Sequence, residues 1–129
     1  EVASTPTLTI GSTSQTVLSS GFENAINSNA FITTTDGWQT DGEAIEMWTD
    51  GSGQSAAEGD HYIELNNDPT EHYADASNIY QNVDTHDGAT YQLTFNFAGR
   101  PGFDDNVNRI EVWWDGERVA DIPYIQSHW

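Results

Sequence analysis

The sequence predicts an all-β fold, either a β-sandwich or a jelly roll. Several short segments alternate apolar and polar residues, turn signals recur at roughly 8–12-residue spacing, and no stretch of about ten residues has helical periodicity. The clearest alternation lies in residues 90–98. There the side chains expected to share one face are Tyr91, Leu93, Phe95 and Phe97.

Taken in order, residues 1–14 are expected to be a linker or lead-in strand, and residues 15–129 the β-sandwich domain. Short strands are predicted at 8–10 and 15–23. Residues 24–36, rich in Asn, Ser and Thr, predict a loop along the sheet edge, with residues 25–26 and 30–32 turned inward. The central stretch holds two short strands, 45–48 and 62–66, around a loop rich in Gly, Ser and acids.

The second half continues the pattern. We expect a loop at 68–75, then a strand at 76–85 with Ile79 and Val83 on one face. An Asp-Gly turn precedes the strand at 90–98, and a loop follows at 99–108. A second Asp-Gly pair, Asp115-Gly116, predicts a hairpin between strands 109–114 and 117–122.

Charge and composition exclude several classes of partner. The 129 residues include 21 acids, three Arg and no Lys, which gives a formal net charge of −18. Such a surface repels nucleic-acid phosphates and anionic lipid headgroups, so we expect no nucleic-acid partner. Cysteine is absent, which excludes disulfides. There is no apolar run of about 18 residues, so we expect no membrane insertion.

Seven short motifs follow one another along the chain. They are GFE at 21–23, GWQ at 37–39, IEMW at 45–48, EGD at 58–60, IELN at 63–66, IYQ at 79–81 and TYQLTF at 90–95. This series resembles the galactose-binding-like jelly-roll superfamily, which includes many carbohydrate-binding modules. AGRPG at 98–102, with RIEV and WDGE at 109–112 and 114–117, is similar to modules of giant RTX-type bacterial adhesins.

The resemblance spans residues 21–122 and implies two or three further strands beyond the last hairpin. We therefore expect the N-terminal portion of a split domain, completed by neighbouring domains, a second chain or another segment. The implied function is that of a non-catalytic adhesin module at the bacterial cell surface, binding carbohydrate or another cell-surface ligand. The alternative is a purely structural spacer that positions neighbouring domains.

The resemblance also implies a structural Ca²⁺ ion. The matching ligands are the carboxylates of Glu23, Glu58 and Asp60, with the carbonyl of Gly21, and Ca²⁺ prefers such oxygen ligands. The simpler interpretation is that these acids are solvated turn residues. A second oxygen-rich segment at 104–108 offers another possible position.

A ligand cleft is expected beside that corner. An aromatic face can stack on the C–H bonds of a sugar, and amides or charged groups can bind its hydroxyls. The residues chosen for this cleft are Trp48, Asn66, Arg100 and Glu46.

Structural roles compete with this assignment. Trp38 and Trp48 could pack in the core or a hairpin, and Arg100 and Arg109 could form ion pairs with acids such as Glu46 or Glu64. The neighbours Trp113 and Trp114 must point to opposite faces of their strand. Trp114 is in phase with Ile110 and Val112 and is predicted to be buried, leaving Trp113 on the other face beside Glu111.

Catalysis is the least favoured function. Glu46 and Glu64 could form a glycosidase-like pair, but carboxylates are so frequent here that some pair must look suitable by chance. The sequence has no cysteine, no serine nucleophile elbow and no His-x-x-x-His spacing. We expect the chain not to be an enzyme.

Overall fold

The computed structural model describes residues 3–10, 15–24, 29–42, 44–65, 77–100 and 108–123. These ranges contain β-strands and no helix, which confirms the all-β prediction for this part of the chain. The strands are β1 (Ala3–Ile10), β2 (Gln15–Ser19), β3 (Ala30–Ile32), β4 (Thr34–Thr35), β5 (Trp38–Gln39), β6 (Ile45–Thr49), β7 (His61–Glu64), β8 (Tyr91–Phe97), β9 (Arg109–Trp114) and β10 (Glu117–Pro123).

The strands form small antiparallel sheets. Two have three strands each, in the orders β2-β1-β8 and β3-β6-β7, and β9–β10 and β4–β5 are two-stranded. β1 also lies next to β7, which brings the two three-stranded sheets together. In the described part of the chain, no helix is long and apolar enough to cross a membrane.

The core lies on one face of β6 and β7. Met47 is opposite Ile63, and alternation along β6 puts Ile45 on the same side as Met47. These three side chains pack with Phe22 into the buried cluster. Phe22 has a positive φ of 62°, so the backbone turns sharply as this ring enters the core. Partly buried side chains surround the cluster: Ile32, Trp38, Leu65 and Ile79.

Two predicted turns and the strands that follow them are confirmed. The N–H of Ala89 donates to the carbonyl of His86 at 3.1 Å, and β8 begins two residues later. Asp115 and Gly116 both have positive φ, 49° and 80°. Two such residues form a type I′ turn, whose twist matches that of a hairpin.

The last hairpin contains a bulge that decides which side chains share a face. Trp113 is opposite Arg118, but Val112 is opposite Ala120, so Val119 is an extra residue. A one-residue insertion reverses the facing of every later side chain. It therefore pairs Ile122 with Ile110 on one face. On the other face it pairs Asp121 with Glu111.

Three predicted elements differ from the structure. The first strand begins at Ala3 rather than residue 8 and lies at the centre of its sheet. The loop predicted at 24–36 contains β3, which pairs with β6. Residues 77–85 do not form the predicted strand. Tyr80 makes a single bridge with Gln39, although Ile79 does pack on the core.

Two aromatic side chains that the sequence predicts to be buried, Phe31 and Trp114, are exposed. Phe31 is 52% exposed because alternation along β3 turns it away from the core face. Trp114 does share a face with Ile110 and Val112, but it is 38% exposed. Its contact is a stack on Tyr91, with ring centroids 5.6 Å apart, and this covers only one side of the indole.

The packing of β7 gives the first testable prediction. Ile63 is fully buried, so Ile63→Ala should lower the free energy of unfolding by about 2–5 kcal/mol through lost burial and a residual cavity. Val119→Ala is the matched control. Its side chain is 59% exposed, so the change should stay within about 0.5 kcal/mol. Urea titrations measure both, and similar losses for the two variants would contradict this assignment of the core.

Candidate functional site

A carboxylate clamp joins the end of the first hairpin to the start of β7. Oε1 of Glu23 accepts hydrogen bonds from the backbone N–H groups of Asp60 and His61, at 3.0 and 3.1 Å. Oε2 of Glu23 lies 3.1 Å from Nδ1 of His61, whose side chain is buried. Glu23 therefore holds a loop and a strand end that are more than 35 residues away in sequence.

The clamp fixes the ionisation of Glu23. Burial raises its pKa. The hydrogen bonds from the His61 side chain and from the backbone of Asp60 and His61 together lower the pKa by more than burial raises it, so it lies below the usual carboxyl range. Glu23 is thus a carboxylate at neutral pH. Its negative charge is stabilised by N–H donors and by the imidazole.

Two of the four predicted calcium ligands, Glu23 and Glu58, approach each other at this corner, beside Gly21. A Cβ built on Gly21 would lie 3.4 Å from Oε1 of Glu58 and 3.9 Å from Oε1 of Glu23, so both carboxylates approach the same point. Asp60 contacts Glu23 through its backbone N–H. Among the described residues, no group of three or more His, Cys, Asp or Glu side chains is arranged to hold a metal. An ion here would need backbone carbonyl and water oxygens in addition to the two Glu carboxylates.

Two of the predicted ligand residues, Glu46 and Trp48, lie on the other face of β6, opposite the apolar core. Along β6 and β7, Glu46 is opposite Glu64 and Trp48 is opposite Tyr62. The Trp48 and Tyr62 rings stack with centroids 6.5 Å apart and planes within 7°. Trp48 is half-buried, because Tyr62 stacks against its indole. Asn66, the fourth residue of the predicted cleft, lies outside the described residues.

Arg100 is engaged by its neighbours on this face. Its Nη1 donates to Oε1 of Glu64 at 2.8 Å, and Glu64 is only 2% exposed. The backbone of Arg100 exchanges two hydrogen bonds with the Asn108 side chain, at 2.9 and 3.3 Å. The predicted ion pair between Arg100 and Glu64 is therefore present. It places Arg100 against Glu64, which lies on the same face of β7 as Tyr62, and it engages the guanidinium.

The remaining cations are also paired. Arg109 binds Asp121 through two nitrogens, and Arg118 binds Glu111 at 2.7 Å. The predicted partner type for Arg109 was correct, but Asp121 was not identified as that partner. Asp121 reaches the face of Arg109 because of the bulge at Val119, and the Asp-Gly turn alone does not predict that bulge.

His61 was also overlooked. Its side chain is 5% exposed, and its Nε2 is buried without a hydrogen-bond partner among the described residues. The only sequence signal was period-two alternation, which puts His61 on the same face as Ile63. Its role in the clamp depends on Glu23, which is too distant in sequence for any local pattern to show.

The clamp gives a second prediction. Gly59 has a φ of 64°, and a Cβ there would collide with the Glu23 carboxylate. Gly59→Ala should therefore lower the free energy of unfolding both by backbone strain, about 1–2 kcal/mol, and by displacing Glu23, about 1–3 kcal/mol more. Gly51→Ala is the control, because Gly51 has a φ of 77° and no atom within 4 Å of the Cβ position. Equal losses would show that Glu23 is not clamped.

The polar face gives a third prediction. Arg100→Met keeps much of the side-chain volume but leaves the buried Glu64 carboxylate without its guanidinium. This should cost about 2–4 kcal/mol, below the full range for buried pairs because Arg100 is partly exposed. Arg118→Met breaks an exposed pair and should cost at most about 1 kcal/mol. Equal costs in chemical denaturation would contradict the buried role of Glu64.

Comparisons with protein-family models, with curated proteins and with solved structures find no match to the chain.

Proposed function

We propose that the chain is a non-catalytic binding module of a bacterial surface adhesin, built on a galactose-binding-like jelly roll and braced by Ca²⁺. The observation that carries this proposal is the approach of Glu23 and Glu58 to one point beside Gly21. A chain with 21 acids and three Arg, all three of them paired, has a large excess of carboxylates that only external cations can neutralise.

The Ca²⁺ ion would be held by Glu58, by Glu23 and by the carbonyl of Gly21, with Asp60 at the rim. It would tie the turn after β2 to the loop before β7, the two segments that the Glu23 clamp already joins. The chemistry supplied by the ion is charge neutralisation and bracing, not activation of a substrate.

The ligand in this proposal is a carbohydrate or another cell-surface molecule, with a site near Trp48, Glu46, Arg100 and Asn66. The location is extracellular. In support, Trp48, Glu46 and Glu64 share one face of β6–β7. Arg100 contacts this face through its ion pair with Glu64. Because both Arg100 and Trp48 already have intramolecular partners, a ligand there would bind at the edge of the stack.

A structural spacer is the second candidate. Large apolar side chains are exposed along β8, β9 and β10, namely Leu93, Trp113, Trp114, Val119 and Ile122. In the described part of the chain, β9 and β10 pair only with each other, and β8 pairs on one side only. Such edges favour completion of the sheets by a neighbouring domain, a second chain or another segment.

Thermal unfolding tests the calcium brace. Millimolar CaCl₂ should raise the melting temperature over EDTA by several degrees, because a ligand at about 100 times its Kd adds about 2.7 kcal/mol. Ionic strength is held constant with NaCl, since any salt relieves repulsion among 21 acids. Glu58→Gln should remove the response. Glu117→Gln, an exposed carboxylate lost from the last hairpin, should keep it.

The calcium proposal fails if wild type and Glu117→Gln show no difference between CaCl₂ and EDTA. A glycan array, run with Ca²⁺ and with EDTA, tests the binding function separately. Carbohydrate binding in either condition supports the adhesin module. A folded domain that binds nothing in both conditions favours the spacer.

A further inference from the structure

The outer face of the β9–β10 hairpin carries five polar or aromatic side chains in a compact arrangement. Arg109, Glu111 and Trp113 alternate along β9 and so share one face. Their cross-strand partners include Arg118, opposite Trp113, and Asp121, opposite Glu111. The bulge at Val119 is what brings Asp121 to this face, because a regular hairpin would turn it to the other side.

Trp113 is exposed but fixed in position. Its side chain is 58% exposed, and its Nε1 donates to Oε2 of Glu111 at 3.1 Å. The other oxygen of Glu111 accepts from Nη1 of Arg118 at 2.7 Å. The indole is therefore oriented by a hydrogen bond to a carboxylate that is itself held, while most of the ring remains open to solvent. Binding to such a ring costs little conformational entropy.

The charges around Trp113 are balanced. Arg109 binds Asp121 through two nitrogens, and Arg118 also lies 3.7 Å from Asp121, so two guanidiniums face two carboxylates. All four side chains are between 30% and 49% exposed, so their remaining donors and acceptors reach solvent. Hydrogen bonds from Arg118 and Trp113 lower the pKa of Glu111, and one from Arg109 lowers that of Asp121, so both stay ionised at neutral pH.

These features select the chemical class of the ligand. An anion would meet paired guanidiniums and a chain of net charge −18. A cation over the indole would meet Arg118 directly opposite Trp113. A single exposed Trp on a protein surface is common and needs no explanation. The indole of Trp113 is oriented by its N–H bond to Glu111, and equal numbers of guanidinium and carboxylate groups surround it. This arrangement suits a neutral ligand that has an apolar face and several hydroxyls.

We propose that this face of the hairpin is a binding site for a neutral saccharide. The indole of Trp113 stacks on the C–H face of one pyranose ring, and Arg118, Asp121 and Arg109 hydrogen-bond its hydroxyls. Glu111 is a positioning residue that orients the indole. The site lies on β9–β10, on a different sheet from the proposed ligand residues of β6. It rests on the proposed carbohydrate-binding function and names a ligand class and residues for it.

The test uses an array of neutral β-glucan, mannan and galactan oligosaccharides beside uronic-acid and sulfated ones. Wild type should bind one or more of the neutral glycans. Trp113→Ala should weaken that binding roughly tenfold or more, as expected for an aromatic anchor. Trp113→Phe should recover part of it. Glu117→Gln, on the same hairpin but on its other face, should bind like wild type. Unchanged melting temperatures show that each variant is folded.

A second measurement reports the location directly. The indole N–H resonance of Trp113, assigned by its loss in Trp113→Phe, should shift when the best-bound neutral oligosaccharide is titrated. Glu111→Gln should move the free position of this resonance and weaken binding less than Trp113→Ala, since a positioning residue acts through the ring.

The outcomes separate the two proposals. If wild type binds neutral glycans and Trp113→Ala binds them equally well, the hairpin site is wrong while the carbohydrate function stands. Binding of charged glycans alone also overturns the hairpin site. If wild type binds no glycan at all, the carbohydrate function fails and the hairpin site fails with it.

Discussion

The register of β6 against β7 is the constraint on which the rest of this structure depends. Met47 opposite Ile63 puts the apolar side chains on the core face, and the same register forces Glu46 opposite Glu64 on the other. Like charges directly opposite each other destabilise a sheet. A slip of one residue would avoid this opposition but would expose the core. Arg100 compensates, because its guanidinium neutralises the buried Glu64 and so allows the register that the core requires.

With so few cations, the chain stabilises carboxylates by other means. Each of its three Arg binds a carboxylate of its own: Arg100 binds Glu64, Arg109 binds Asp121, and Arg118 binds Glu111. Glu23 instead accepts two backbone N–H bonds and faces the imidazole of His61. Backbone N–H groups stabilise a carboxylate without cancelling its charge, so the surface remains strongly anionic even where individual acids are hydrogen-bonded.

The sequence predicted the elements whose information is local. Alternation identified β8, and two Asp-Gly pairs identified its preceding turn and the β9–β10 hairpin. It failed where pairing depends on distant residues. β3 is only three residues long and forms because β6 offers an edge, whereas residues 77–85 show strand-like alternation of burial but, among the described residues, make an isolated bridge at Tyr80 and no ladder. A strand is defined by its partner, and a single sequence does not name the partner.

The candidate sites divide in the same way. Of the predicted calcium corner, Glu23 and Glu58 approach each other, because both carboxylates lie against Gly21. The tryptophans are harder to tell apart from sequence, since Trp48 and Trp113 each lie in a strand two residues after a glutamate. Their surroundings differ in the structure. Trp48 is stacked on Tyr62, whereas Trp113 is exposed to solvent and its N–H donates a hydrogen bond to Glu111. The deciding residue is Val119, whose bulge gathers Asp121 with Glu111 and leaves Ile122 with Ile110. A single inserted residue thereby creates one apolar and one polar face on the same hairpin, and the polar face is the better candidate for a ligand.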